Sequence, residues 1–77
     1  MNKERRSKIE KAKLLVEQAR EMLENCRDEE QEYYDNMPEN MQSGERGQAA
    51  EAAADSLSDA ISSLEEAESS VDSAVSE

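Results

Sequence analysis

The sequence predicts an all-α protein: an antiparallel, coiled-coil-like two-helix hairpin that dimerises into a four-helix bundle. Three observations carry this. Apolar residues recur at steps of three and four through both halves of the 77-residue chain, the spacing that puts them on one helical face. Strong helix formers abound and β-branched residues are few, so propensity agrees with pattern. The one proline, Pro38, stands near the middle, where it can divide one helix from the next.

The first helix is expected over 3–36. Its stripe is Ile9, Ala12, Val16, Ala19, Leu23, Cys26, Tyr33 and Met37, interrupted at Glu30. Met37 precedes Pro38, and a residue before proline avoids the helical region, so the helix stops near Asn36. The connection is 37–43, with Pro38 opening a short turn over Glu39 to Gln42. Ser43 is a suitable N-cap for the next helix, and Glu45 falls in its first turn, where the helix dipole favours a carboxylate. That second helix is expected over 44–76. Its stripe is Ala50, Ala54, Leu57, Ile61, Leu64, Val71 and Val75, interrupted at Glu68.

A short connection makes the helices antiparallel neighbours. With Ile9 and Ala54 both at heptad position a, the a and d residues pair across the seam when their numbers sum to 80: Ile9 with Val71, Val16 with Leu64, Ala19 with Ile61, Leu23 with Leu57, Cys26 with Ala54. Tyr33 then faces Gly47. The flanking e positions give three pairs of opposite charge: Arg6–Asp72, Lys13–Glu65 and Arg27–Glu51. Exposed pairs contribute only about 0.2–1 kcal/mol each, but a slipped register loses them. A third apolar column, Leu15 and Met22 with Ala53, Ala60, Ala67 and Ala74, cannot be buried by two helices alone. It is therefore the expected dimer edge of a homodimer.

Composition narrows the function. The formal net charge is −11, from 20 acidic and 9 basic residues, with no His. Residues 1–27 carry a net +3 and residues 28–77 a net −14. An antiparallel hairpin sets these halves side by side, so internal compensation is favoured over a basic arm for nucleic acid. No apolar run is long enough to span a membrane and no signal peptide is recognisable, so a cytoplasmic protein is expected. A single Cys excludes an internal disulfide framework.

No residue pattern points to catalysis, a cofactor or a metal. Without His the commonest general base and zinc ligand is absent. Cys26 has no cation placed to activate it and reads as a small seam residue rather than a nucleophile. Asp28, Glu29, Glu30 and Glu32 lack the central Gly of a calcium loop and point in several directions on a helix.

Two surfaces remain as partner-binding candidates. Glu10, Glu17, Glu21, Glu24, Asp28 and Asp35 form a carboxylate ribbon along helix one. Such a ribbon either keeps the protein soluble or competes for a groove that holds nucleic-acid backbone. Tyr33, Tyr34, Met37, Met41 and Arg46 gather at the hairpin tip, in residue types enriched at interface anchors. The alternative for the tip is a local mini-core, with Arg46 neutralising Glu29, Glu30 or Glu32. Leu14 stands alone on the outer face, and helix two is Ser-rich outside.

The segments DEEQEYYDNMPENMQSGERG (28–47) and SLSDAISSLEEAESS (56–70) resemble small acidic helical hairpins encoded in phage and prophage genomes. The resemblance implies a phage-related protein in a bacterial host cell that acts by binding, as an inhibitor of a host defence or nucleic-acid-handling protein, in some cases as a nucleic-acid mimic. The residues themselves lead to the expectation of no enzyme activity, no direct nucleic-acid contact and no membrane span. The alternative functions are a structural oligomerisation element of a phage assembly and, further down, a small-nucleotide sponge, which the negative charge disfavours.

Overall fold

The computed structural model describes residues 1–76. Two long helices, α1 (Lys3–Asp35) and α3 (Glu45–Ser76), pack along their length, with a one-turn α2 (Glu39–Gln42) between them. No strand occurs among the described residues. The molecule measures 58 × 14 × 13 Å, which is the length of one helix of this size and the width of two.

Local chemistry explains the breaks. Asn2 caps α1: its Oδ1 accepts from the Arg5 N–H at 2.7 Å, satisfying one of the donors that a helix start leaves open. At the other end the Met37 N–H turns back to the Tyr34 carbonyl at 3.0 Å, and Pro38 ends the helical path. Pro38 then supplies its carbonyl to the N–H groups of Met41 and Gln42, which makes α2. Ser43 is not an N-cap for α3. It terminates α2, and its hydroxyl donates to the Asn40 carbonyl at 3.5 Å. The first turn of α3 closes instead from Gln48 N–H to the Gly44 carbonyl.

The core is thin. Met37, Ala50, Ala54 and Ile61 are the buried apolar residues, joined by Gly47. Around them lie half-buried Ile9, Val16, Leu23, Tyr34, Leu57, Leu64, Val71 and Val75. On α3 these are the expected a and d positions. On α1 the seam differs from the sequence register. The a column of Ile9, Val16, Leu23, Glu30 and Met37 faces inward, but its partner column is Arg6, Lys13, Arg20, Arg27 and Tyr34, not Ala12, Ala19, Cys26 and Tyr33, which are exposed. At 100° per residue this turns the inward face of α1 by roughly 50°.

The register moves with it. Lys13 pairs with Asp72 rather than Glu65, and Arg20 with Glu68. Arg27 turns to its neighbour Asp28 instead of Glu51, and Arg6 does not reach Asp72 in any ion pair among the described residues. The cross-seam ion pairs have residue numbers that sum to 85 and 88, where the three expected from the sequence sum to 78.

The cause is Glu68. It occupies an a position of α3, and its side chain retains only 13% of its exposure. A carboxylate held there needs a cation and hydrogen bonds. Arg20 supplies both: Nε to Oε2 at 2.7 Å and the terminal Nη2 to Oε1 at 3.3 Å, a two-pronged grip. The aliphatic stems of Arg and Lys are also well suited to lie over an alanine surface with their heads at the rim.

Two stability outcomes are expected. R20L should melt below the wild type, because Glu68 loses its partner, and R20L/E68L should recover part of that loss; thermal denaturation by circular dichroism measures both. G47A should destabilise the hairpin in urea, although alanine normally gains about 0.5–1 kcal/mol over glycine within a helix. Its Cβ would stand 2.1 Å from the Gln42 carbonyl oxygen.

Candidate functional surfaces

The seam fixes which side of each helix faces out. Antiparallel helices lay their g positions on one side of the hairpin and their b and e positions on the other. The two sides differ in chemistry.

The first side is acidic. Helix α1 contributes Glu10, Glu17, Glu24, Glu21, Asp28 and Asp35, and α3 adds exposed Glu51, Asp55 and Glu65. These carboxylates are not equivalent. Glu17 lies 3.8 Å from the Lys13 ammonium, and Glu24 bonds Arg20 at 2.5 Å. Both reach back into the seam and help hold it. Asp28 pairs with Arg27 at 3.1 Å, and Asp35 accepts from the Gln31 amide at 3.0 Å. Glu10 and Glu21 are exposed and make no ion pair among the described residues. The ribbon is thus part scaffold and part open surface. Leu14, 58% exposed, sits among these acids.

The second side carries little charge. Leu15 and Met22 are 66% and 68% exposed, and Ala12, Ala19 and Cys26, turned out of the seam, lie beside them. Cys26 is therefore a free, exposed thiol rather than a core residue. On α3, Ala53 and Ala60 are half-buried, while Ala67 and Ala74 are exposed. The expected edge residues share one face, and the displaced seam column widens it. Sequence reasoning missed that widening. The available signal was the pair of interruptions at Glu30 and Glu68, which break an apolar seam but suit one lined by Arg and Lys.

The tip divides. Met37 is enclosed, at 8% exposure, and Tyr34 is half-buried. The Gln42 amide donates to the Tyr34 carbonyl and the Gln48 amide to the Ser43 carbonyl, each at 3.1 Å. These bonds lock α2 onto both long helices. Tyr33, Met41 and Arg46 remain exposed. Arg46 makes no ion pair with Glu29, Glu30 or Glu32, contrary to the neutralising role considered from sequence. Among the described residues no group of three or more acidic or Cys side chains is arranged to hold a metal ion. A shallow depression at the start of α1, lined by Asn2, Glu4, Arg5 and Lys8, has no enclosed wall of apolar side chains. Among the described residues no helix is long and apolar enough to cross a membrane.

The seam also shifts proton affinities. Hydrogen bonding to Asp72 raises the Lys13 ammonium above its ordinary 10.5, against the opposing cost of desolvation. Bonds to Glu68 and then Glu24 hold the Arg20 guanidinium still more firmly protonated. Desolvation, and then the neighbouring Glu51 carboxylate, pushes the Tyr34 phenol above 10.0.

The chain matches no protein family, no curated protein and no solved structure.

The Lys13 and Tyr34 shifts predict alkaline instability. Lys13 contributes stability that is fully present below 10.5 and lost as pH rises through its raised folded value. Tyr34 acts in the same direction, because the folded state favours its neutral form from 10.0 upward. The melting temperature is expected to fall once pH exceeds about 10. K13M should weaken the dependence, as read from helicity across a pH series.

Proposed function

We propose that the chain is a non-enzymatic binding protein that pairs into a homodimeric four-helix bundle through its low-charge side and offers its acidic side to a basic surface on another protein. One observation carries the reading: the hairpin separates an exposed apolar face from an exposed acidic face. Six acidic residues, Glu4, Glu17, Glu24, Asp28, Glu68 and Asp72, are engaged in ion pairs, and most of the 20 in the sequence are left to set the field outside. Such a field steers a cationic partner toward it. Lys13, Arg20 and Arg27 are committed within the hairpin, which argues against direct nucleic-acid binding through a continuous basic face. The resemblance to phage-encoded hairpins supports a host cytoplasmic protein as the partner and inhibition as the outcome, by occupying a site that otherwise holds nucleic acid.

A second reading, an oligomerisation element in a larger assembly, is favoured by the same exposed Leu15 and Met22. Charge reversal separates the two. E10K/E21K alters exposed acids that do not hold the seam, whereas changing Glu17 or Glu24 would also loosen it. The double variant should keep its helicity and its association state. It should lose at least tenfold in capture of a basic partner from bacterial lysate at low salt, scored by mass spectrometry. Unchanged capture leaves the oligomerisation reading in place of the inhibitor.

A further inference from the structure

The low-charge side of α1 has a polarity of its own. Its column starts with Arg5 and Lys8, continues through Ala12, Leu15, Ala19, Met22 and Cys26, and ends at Glu29. Cations stand at one end, a carboxylate at the other, and apolar residues lie evenly spaced between. Ala19 is the midpoint. The ends are lightly committed: Lys8 lies 3.8 Å from Glu4, with both side chains largely in solvent, and Glu29 makes no ion pair among the described residues.

We infer that this column is the docking surface for a second copy of the same chain, laid antiparallel, α1 against α1, with the twofold axis passing close to Ala19. The inference rests on the homodimer reading above and adds its geometry. Reversal about that point is the arrangement that brings Lys8 of one copy to Glu29 of the other, and it does so twice. It sets Leu15 against Met22, Ala12 against Cys26, and Ala19 against itself. A parallel arrangement instead stacks Lys8 on Lys8 and Glu29 on Glu29, and like charges repel.

Two further observations fit a second copy. The accessible surface is 5735 Å² for 8.6 kDa, whereas a compact monomer of that mass exposes about 4,700 Å². The excess of about 1,000 Å² is comparable with the ~800 Å² that each partner commits to a standard interface. On the same side of α3, the eight positions stepping by four and three from Ala49 to Ala74 are all Ala or Ser, in the half of the chain that holds most of the acids. Small uncharged side chains let a second α3 approach closely. The acidic sides then point away from the axis, which limits the repulsion between two copies at −11 each.

Native Cys26 makes the geometry measurable. It lies seven residues from Ala19, so the two Cys26 residues of the dimer stand about 21 Å apart along the helices, well beyond disulfide reach. The A12C variant places a thiol opposite the second copy's Cys26. The full chain, A12C and A12C/C26S are oxidised in a glutathione buffer, and covalent dimer is followed by non-reducing electrophoresis. Sedimentation equilibrium gives the mass, and M22E is compared by mass and circular dichroism. The expected result is a wild-type mass near twice 8.6 kDa, at least tenfold faster cross-linking in A12C than in wild type or A12C/C26S, and a helical monomer for M22E. A dimeric mass without A12C cross-linking overturns the α1 geometry and leaves the homodimer standing. Rapid cross-linking of wild type indicates parallel docking and also overturns it. A monomeric wild type at all concentrations overturns both.

Discussion

The carboxylate of Glu68 governs the rest of this structure. A charge at a position that faces another helix must be met or it opposes folding. Arg20 meets it from across the seam with two hydrogen bonds, and Glu24 holds the far side of the guanidinium. To bring that arginine inward, α1 turns its basic column toward α3. The turn has two further effects. It draws Lys13 onto Asp72, so that a second cation ties the open half of the hairpin. It also pushes Ala12, Ala19 and Cys26 into solvent, where they extend the face already carrying Leu15 and Met22. One satisfied charge thus determines the register, the seam and the composition of the exposed surface.

Much of this was readable from the residues. The helical character, the break at Pro38 and the inward face of α3 follow from spacing and from the backbone limits of proline. The inward face of α1 was harder to read because three of its columns hold apolar residues: Ile9 with Val16, Ala12 with Ala19, and Leu15 with Met22. Periodicity cannot rank these columns, since each keeps the helical step. Size and charge decide between them. Ala12 and Ala19 have little apolar area to bury, whereas the stems of Arg20 and Lys13 cover more and bring their charges to waiting acids. Hydropathy scores an arginine as a surface residue and is blind to this use of it. The role assigned to Ser43 failed for a local reason: α2 needed a terminator, and Ser43 stands where it ends.

The candidate surfaces were legible in part. The edge column rests on a simple count of seven; the structure leaves Leu15 and Met22 exposed and divides the alanines into half-buried Ala53 and Ala60 and exposed Ala67 and Ala74. The acidic ribbon is not uniform. Glu17 and Glu24 belong to the scaffold, while Glu10 and Glu21 are open to solvent. The distinction depends on which side chains can reach the seam, and that depends on the rotation of α1. At the tip the enclosure of Met37 and the glutamine bonds to backbone carbonyls required the path of α2, which a sequence of turn-forming residues leaves undetermined.

The bonds at the tip, Gln42 to the Tyr34 carbonyl and Gln48 to the Ser43 carbonyl, have a kinetic side. Neighbours at the tip are separated by only a few residues, while Lys13 and Asp72 enclose most of the chain. Closing a loop costs entropy that rises slowly with its length, about 0.6 kcal/mol for each doubling. Assembly is therefore cheapest at the bend and proceeds outward like a zipper, each closed turn shortening the next loop. Fraying runs the same path backwards, beginning at the end of the hairpin away from the tip.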